Sequence, residues 1–411
     1  MNLSSAKEAL ASILGQEFVQ MEGQTLVVFP ANAEEISAVF KKATTEGFKV
    51  AVVGNEYKGG FAEEPQLVVS TSRMNKILEV DRDNMLVIVQ AGMNTAAFQQ
   101  ELLEGGLYFP PDPMNKSTST LGANVATRAA GPNEASHGEV VDFMLGLTAV
   151  LPNGEIFKVG GKNYKNVAAL DLNRFYGGSY GRLGVITELI FRLLPKPEVT
   201  VSAFLKFPSV KDAAQVASLL TTGGVIPNKL EILNRELIKQ VESEWPAEFL
   251  ADGIVLMELE GYQESIEYQK EIIIKSLGDK VKEFVELSDE QAAKLWQLRD
   301  KIGTNPTVLE KQMHLAVDPT KLLEAVNAIF DVKEGSLGLA IQGSAARLYP
   351  IFFGLDEDKE LQVKDKVQQA IKGLNGVVLR DGLDYNPETN SEVELTNNLF
   401  AIFDPNGIMV V

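Results

Sequence analysis

Apolar and polar positions alternate in short runs over the first 200 residues, with the period of strands. "LVVFP" at 26–30 is a short apolar run ended by Pro30. Asn32 followed by Glu35 has the spacing of a capping box, and the pattern behind it predicts a helix reaching Gly47. "KVAVVG" at 49–54 is the next strand, which makes a strand–helix–strand unit. "QLVVS" and "MLVIVQAG" predict further strands, and "NTAAFQQELLEGG" at 94–106 predicts a helix stopped by Gly105 or Gly106. "LGLTAVLPNGEIFKVG" predicts a β-hairpin turning at Asn153-Gly154. "GVITELIFRLLP" is the last long strand, and Pro195 and Pro197 mark a boundary.

Beyond Pro197 the periodicity lengthens. Helical patterns run through "VKDAAQVASLLTTGG", "QESIEYQKEIIIKSLG", "SDEQAAKLWQLRDKIG", "DPTKLLEAVNAIF" and "KELQVKDKVQQAIKGLNG". The strand patterns between them are "IVLMELEG", "HLAVDP", "GLAIQG" and "GVVLRDG". This alternation predicts a second α+β lobe with helices on one face of a sheet. The first 18 residues read as a short amphipathic helix, without the basic start and apolar core of a signal peptide. No apolar run reaches the roughly 20 residues of a membrane-spanning helix. A soluble, cytoplasmic protein is expected, reaching the membrane only through partners.

Charge and composition narrow the chemistry. A formal net charge of -18 argues against nucleic acid and anionic membrane surfaces, which need a basic face. A small anionic substrate needs only a few local arginines and stays open. The chain has no cysteine, so it supplies no disulfide, thiolate nucleophile or iron–sulfur ligand. It has two histidines, His137 and His314.

The densest run of small residues is "STSTLGANVATRAAGP" at 117–132, just after the turn "FPPDP". Such a run lets backbone N–H groups come close to a phosphate. It equally suits a tightly packed turn between two sheets, and composition alone does not choose. Three ordered segments bear on the choice: "FPPDPMNKSTSTLGANVATRAAGP", "HGEVVDFMLGLTAVLPNGEIFKVGGKN" and "GGSYGRLGVITELIFRLLPKPE". Together they resemble the FAD-binding domain of the vanillyl-alcohol-oxidase (PCMH-type) superfamily, in its branch of glycolate oxidase and D-lactate dehydrogenase flavoproteins. "MNKILEVDRDNMLVIVQAGM" fits the same branch, and "FAIFDPNGIM" resembles its C-terminal close.

The resemblance implies an α+β fold. A two-subdomain FAD-binding domain would span 1–197, a cap domain with an antiparallel sheet 198–380, and residues 381–411 would return to the FAD domain. It implies noncovalent FAD contacts at Pro111, Ser119, Thr120, Gly122, Asn124, Ala126 and Thr127, and backbone contacts at Gly184, Val185 and Ile186. The family's first phosphate loop falls on "VVGNEYKGGF", which keeps Gly54, Gly59 and Gly60 but inserts Glu56 and Tyr57. A carboxylate there repels a pyrophosphate, and Lys58 offsets it in part.

The metal-using members of the family carry His and Glu motifs of the type G-H-x-G-D-G-N and G-E-H-G. The matching stretches here are "AIQGSAARLYP" and "LRDGLDYNPET", and neither contains His. No His-based metal site is expected. His137 either lines the flavin pocket, where it is a catalytic candidate beside Arg299, or lies outside it, and His314 reads as a strand-edge histidine rather than a base. Arg299 either neutralises a substrate carboxylate or pairs with an acid; Arg347 and Arg380 are weaker candidates of the same kind. The acidic "LDYNPETNSEVE" reads as a surface loop.

The function implied is the FAD-binding subunit of a 2-hydroxy acid dehydrogenase-type complex, acting on glycolate or D-lactate and without a complete catalytic site of its own. Its partners would be a catalytic flavoprotein of the same family, an iron–sulfur subunit, or both. A free-standing dehydrogenase with an atypical base and a flavin-free scaffold are the alternatives.

Overall fold

The computed structural model describes residues 3–55, 61, 63–163, 171–223, 225, 227–277, 283–332, 334–343, 345–381, 384–385 and 390–410. The chain forms two units. Unit one comprises Met1–Ala130, Gly138–Lys196 and Ser391–Val411; unit two comprises Gly131–His137 and Pro197–Asn390. The short stretch Gly131–His137 therefore belongs to unit two, while the chain on either side of it belongs to unit one.

Unit one holds two sheets. The strands Thr25–Val28, Leu67–Ser70 and Val50–Val53 run parallel, with Leu67–Ser70 in the middle, and Val19–Glu22 adds an antiparallel edge. The strand–helix–strand unit read from the sequence is thus present, with a later strand inserted between its two strands. The helix Ala33–Glu46 starts at the expected cap, Asn32 accepting from the Glu35 N–H at 2.8 Å, but the Glu35 carboxylate accepts from the Ala31 N–H, one residue before the donor that a capping box uses. Such a cap contributes about 1 kcal/mol. Gly47, at φ 68°, ends the helix in the left-handed region.

The second sheet is antiparallel, with Val185–Arg192 between Leu86–Gln90 and Met144–Val150. Met144–Val150 and Ile156–Gly160 form the hairpin anticipated at Asn153-Gly154. The C-terminal residues close unit one. The Asp404 carboxylate accepts from the N–H groups of Ile408 and Met409, and Val50 exchanges backbone bonds with Ile408 and Val410.

One core residue of unit one carries a cost. Tyr176 is 1% exposed and its hydroxyl has no hydrogen-bond partner; burial pushes the phenol well above its ordinary range. An unsatisfied buried hydroxyl costs roughly 1–3 kcal/mol. Tyr176→Phe is accordingly expected to raise the thermal midpoint of unit one. A lowered midpoint in a calorimetric scan would mean that the hydroxyl has a partner in solution.

Unit two is built on a nine-stranded sheet in which every paired neighbour is antiparallel. Strands Val199–Phe207, Lys229–Asn234 and Arg347–Phe353 join those read from the sequence. The last carries Pro350 inside the sheet, where proline is uncommon, and this hides it from a propensity reading.

The helices Val210–Gly223, Gln263–Leu277, Leu322–Asp331 and Glu357–Gly373 cover one face, over a core that includes Leu205, Ile232, Val255 and Ile341. The expectation of helices on one face only is corrected here. Arg235–Val241 and Asp289–Gly303 pack on the opposite face, around Phe204, Leu233, Leu256 and Ile351. "LDYNPETNSEVE" is corrected as well: a helix, Asn390–Phe403, begins within it.

Candidate functional site

In unit one, four segments meet at the C-terminal ends of the parallel strands. This is the edge where open α/β sheets bind ligands. A Cβ on Gly54 would lie 2.6 Å from Thr120 Oγ1, so the glycine leaves room for the Thr120 side chain. Asn55 Nδ2 donates to the Thr118 carbonyl at 3.3 Å. Ser70 Oγ donates to the Gly54 carbonyl at 3.2 Å and Thr71 Oγ1 to the same oxygen at 3.3 Å. Gly181, at φ 84°, lies against Val52.

Within the 117–127 run the side chains build the loop. Asn124 Nδ2 donates to Thr95 Oγ1 at 2.7 Å and to Ser119 Oγ at 3.1 Å. Thr120 Oγ1 caps the helix Leu121–Ala126 by accepting from the Ala123 N–H, and Thr127 Oγ1 donates to the Ala123 carbonyl. The Gly122 N–H donates to the Ala91 carbonyl at 2.7 Å, and a Cβ there would lie 2.7 Å from the Ala91 methyl. The Pro111 carbonyl accepts from Gln99 Nε2, and the Ala126 carbonyl from the Tyr180 N–H. Gly184 sits at φ 112° with Val150 O only 2.1 Å from where its Cβ would stand, and buried Val185 and Ile186 pair with Val150 and Ala149. Gly59 and Gly60, with Glu56, Tyr57 and Lys58, lie outside the described residues.

In unit two, strand alternation puts polar side chains on the face opposite the four helices. Lys229 and Glu231 come from one strand, Glu258 and Glu260 from the next, and Arg347 and Tyr349 from a third. Onto this face the stretch Gly131–His137 is fastened. Gln342 Nε2 donates to the Gly131 carbonyl at 2.6 Å, and Ser136 Oγ to the Asn228 carbonyl at 3.0 Å. Glu134 pairs with Arg347, and His137 Nε2 with Glu260.

Behind Glu260, Asn228 Nδ2 reaches Glu260 at 3.2 Å and Glu258 at 2.9 Å, and Lys229 neutralises Glu258 at 3.0 Å. Glu258 also accepts from Ser202 Oγ, which accepts from Trp296 Nε1.

Arg299 is deep in the same unit. Its Nη2 lies 2.8 Å from Glu231 Oε2, and the pair is 6% and 0% exposed. Burial works against its charge, but Glu231 and Asp300 outweigh that and hold the guanidinium above its ordinary range. Of the two roles open to Arg299, the structure shows the pairing with an acid.

His314 stands on an interior strand rather than an edge, with its ring edge-on to Tyr349 at 5.0 Å. Tyr349 donates to Gln342 Oε1 at 3.2 Å; burial pushes its phenol up to about 12. Both residues of this hydrogen bond come from "AIQGSAARLYP". Arg380 pairs through its backbone with His314.

An FAD-binding domain model matches residues 25–160, and a model described as FAD linked oxidases, C-terminal domain matches residues 196–334. Glycolate oxidase subunit GlcD of Bacillus subtilis is 32% identical over 77% of this chain and 71% of its own length. The chain belongs to the FAD-linked oxidoreductase family of glycolate oxidases and D-lactate dehydrogenases. A D-lactate dehydrogenase of Archaeoglobus fulgidus is 28% identical over 93% of this chain and 90% of its own. Among solved structures, p-cresol methylhydroxylase matches with a TM-score of 0.72 at 14% identity, over 98% of this chain and 95% of that one, and an alkyldihydroxyacetonephosphate synthase matches with 0.75 at 16%, over 99% and 84%. The fold of this family member is the PCMH-type FAD-binding fold with a second α+β domain.

FAD is the family's cofactor, and the FAD-binding domain match lies within unit one. Gly54, Asn55, Thr118 and Thr120 converge here, and a Cβ at Gly54 would collide with the Thr120 side chain. The hydroxyls of Ser119, Thr120 and Thr127 are engaged within the protein, and so are the N–H groups of Thr118, Ser119, Leu121, Gly122, Ala123 and Asn124.

The unit-two residues Glu260, Asn228, Glu258, Gln342 and Tyr349 went unrecognised in the sequence. Their signal was there: "KLEIL" and "LMELEG" alternate acidic with apolar positions at period two.

Proposed function

We propose that this chain is the FAD-binding subunit of a 2-hydroxy acid dehydrogenase-type complex, taking electrons from a glycolate- or D-lactate-like substrate and passing them to a partner protein. When bound, FAD supplies the acceptor for the hydrogen and two electrons of the substrate α-carbon. The region around Gly54 and Thr120 would hold it, and the polar face of unit two carries candidate groups for a substrate hydroxyl.

The observation that carries the reading is the Tyr349–Gln342 hydrogen bond. It fills the stretch where metal-using relatives carry histidines, and among the described residues no three His, Cys, Asp or Glu side chains are grouped to hold a metal ion. A chain without cysteine holds no iron–sulfur cluster of its own, which leaves oxygen, a quinone or a partner protein as the acceptor. The relative named as a glycolate oxidase subunit supports an assembly of this kind.

Native purification at low salt is expected to yield a yellow protein whose flavin is bleached anaerobically by a 2-hydroxy acid. A second flavoprotein or an iron–sulfur protein should accompany it. With a net charge of -18, its partner contacts should weaken as salt rises. A chain that runs alone at its monomer mass, with fast flavin reoxidation by oxygen, would overturn the subunit reading in favour of a free-standing oxidase.

A further inference from the structure

We propose that the outer face of the helix Asn390–Phe403 is the docking surface for the partner protein, which meets it with an apolar strip rimmed by lysine or arginine; this rests on the subunit reading above.

The helix carries two apolar faces. Phe400 and Phe403 turn inward, onto the unit-one core that holds Leu121, Val125 and Leu183. The Arg182 guanidinium lies over the Phe400 ring at 3.8 Å. Leu395, Leu399 and Ile402 recur at i, i+4 and i+7, which is a single stripe turned away from the two phenylalanines. Leu395 is 62% exposed and Ile402 73%, with Leu399 half-buried between them. Single exposed leucines are ordinary on a protein surface. Three large apolar side chains on one stripe make a patch, and helices bind partners through anchors at this spacing.

The stripe is also pre-formed. The Asp404 carboxylate, just beyond the helix, accepts from the N–H groups of Ile408 and Met409, and Val50 exchanges backbone bonds with Ile408 and Val410. The C-terminal end of the helix is thereby tied to the parallel sheet. A partner that docks on it avoids the entropic cost of ordering it.

Charge selects the occupant. Asp381, Asp384, Glu388, Glu392, Glu394 and Asp404 are acidic, and no lysine or arginine follows Arg380. A second copy would bring this acidic segment against itself, on chains that each carry a formal charge of -18. A partner with basic residues around its apolar strip meets attraction where a second copy meets repulsion.

The test uses the full, FAD-loaded chain. Photoreactive benzoylphenylalanine replaces Asn398, which is exposed and lies three residues after Leu395 and four before Ile402, so the stripe itself stays intact. The control position is Tyr268, 65% exposed on the helix Gln263–Leu277 of unit two. Irradiated in the producing cells, the chain should cross-link from 398, and not from 268, to one other protein that mass spectrometry identifies. That protein, purified, then serves as the probe. Its affinity for the chain should fall at least about tenfold in Leu395→Ala/Ile402→Ala, at unchanged FAD content and unfolding midpoint. Ile402→Leu should keep it within about threefold, and rising salt should weaken it.

An adduct of twice the chain mass would make a second copy the occupant and overturn the proposal. So would an affinity within about threefold of wild type in the double alanine variant, a binding strength indifferent to salt, or a co-purifying partner that never cross-links from 398. Each of these leaves the subunit reading standing. If no partner is found by cross-linking or by native purification, the subunit reading fails and this proposal with it.

Discussion

Gly122→Ala is expected to weaken FAD retention, and Ala91→Gly in the same chain is expected to restore part of it. The Gly122 N–H already donates to the Ala91 carbonyl at 2.7 Å. A Cβ at 122 would stand 2.7 Å from the Ala91 methyl and 3.0 Å from its carbonyl oxygen. Contacts that short force the 118–122 run off the strand end that seats it. Overpacking of this kind costs about 1–3 kcal/mol. If the displaced loop must return before FAD binds, the whole cost appears in affinity, as about 5- to 150-fold.

Removing the Ala91 methyl relieves the shorter contact but leaves the carbonyl and adds a flexible glycine, worth roughly 0.5–1 kcal/mol against the fold. Rescue should therefore be partial. FAD affinity measured by flavin fluorescence in the two single variants and the double variant checks this. Equal affinity in Gly122→Ala and wild type would show that the loop does not need its seat on Ala91. The glycine was legible in the sequence as a backbone approach, but the partner was not. The sequence points to a ligand, whereas the nearest atoms are those of Ala91.

The same division holds elsewhere. Local chemistry was readable: Asn32 and Glu35 cap their helix, and Asn153-Gly154 turns its hairpin, because both depend on neighbours within a few residues. Strand order was not. Leu67–Ser70 lies between two strands that precede it, and Lys229–Asn234 pairs with Ser336–Gln342 a hundred residues on. Pairing over such distances is set by burial of whole faces, which no local window contains. The FAD-binding family was legible through ordered segments. The His137–Glu260 pair was half found: the histidine is rare enough to notice, while its carboxylate is one acidic residue among 56 until the sheet folds.

Arg299→Met and Glu231→Leu are each expected to destabilise unit two severely, and together far less. The pair is 6% and 0% exposed, so removing either partner leaves the other's charge in the interior without its nearest counter-ion, at a cost of up to about 3–5 kcal/mol. Replacing both with apolar residues of similar size removes the stranded charge, and such replacements are often close to neutral. Trp245 and Trp296 are the chain's two tryptophans and both belong to unit two, so intrinsic fluorescence in urea follows this unit selectively. The cycle also decides what Arg299 is for. Its guanidinium faces Glu231 and Asp300, and Tyr349 is close enough to add to the field on it. If the pair serves packing alone, the double variant should keep substrate-driven flavin bleaching within about tenfold of wild type, a barrier change of roughly 1.4 kcal/mol. A double variant that is stable, holds FAD and yet needs far more 2-hydroxy acid to bleach it would instead assign Arg299 to the substrate carboxylate. Glu231 would then be its resting partner, displaced when substrate enters.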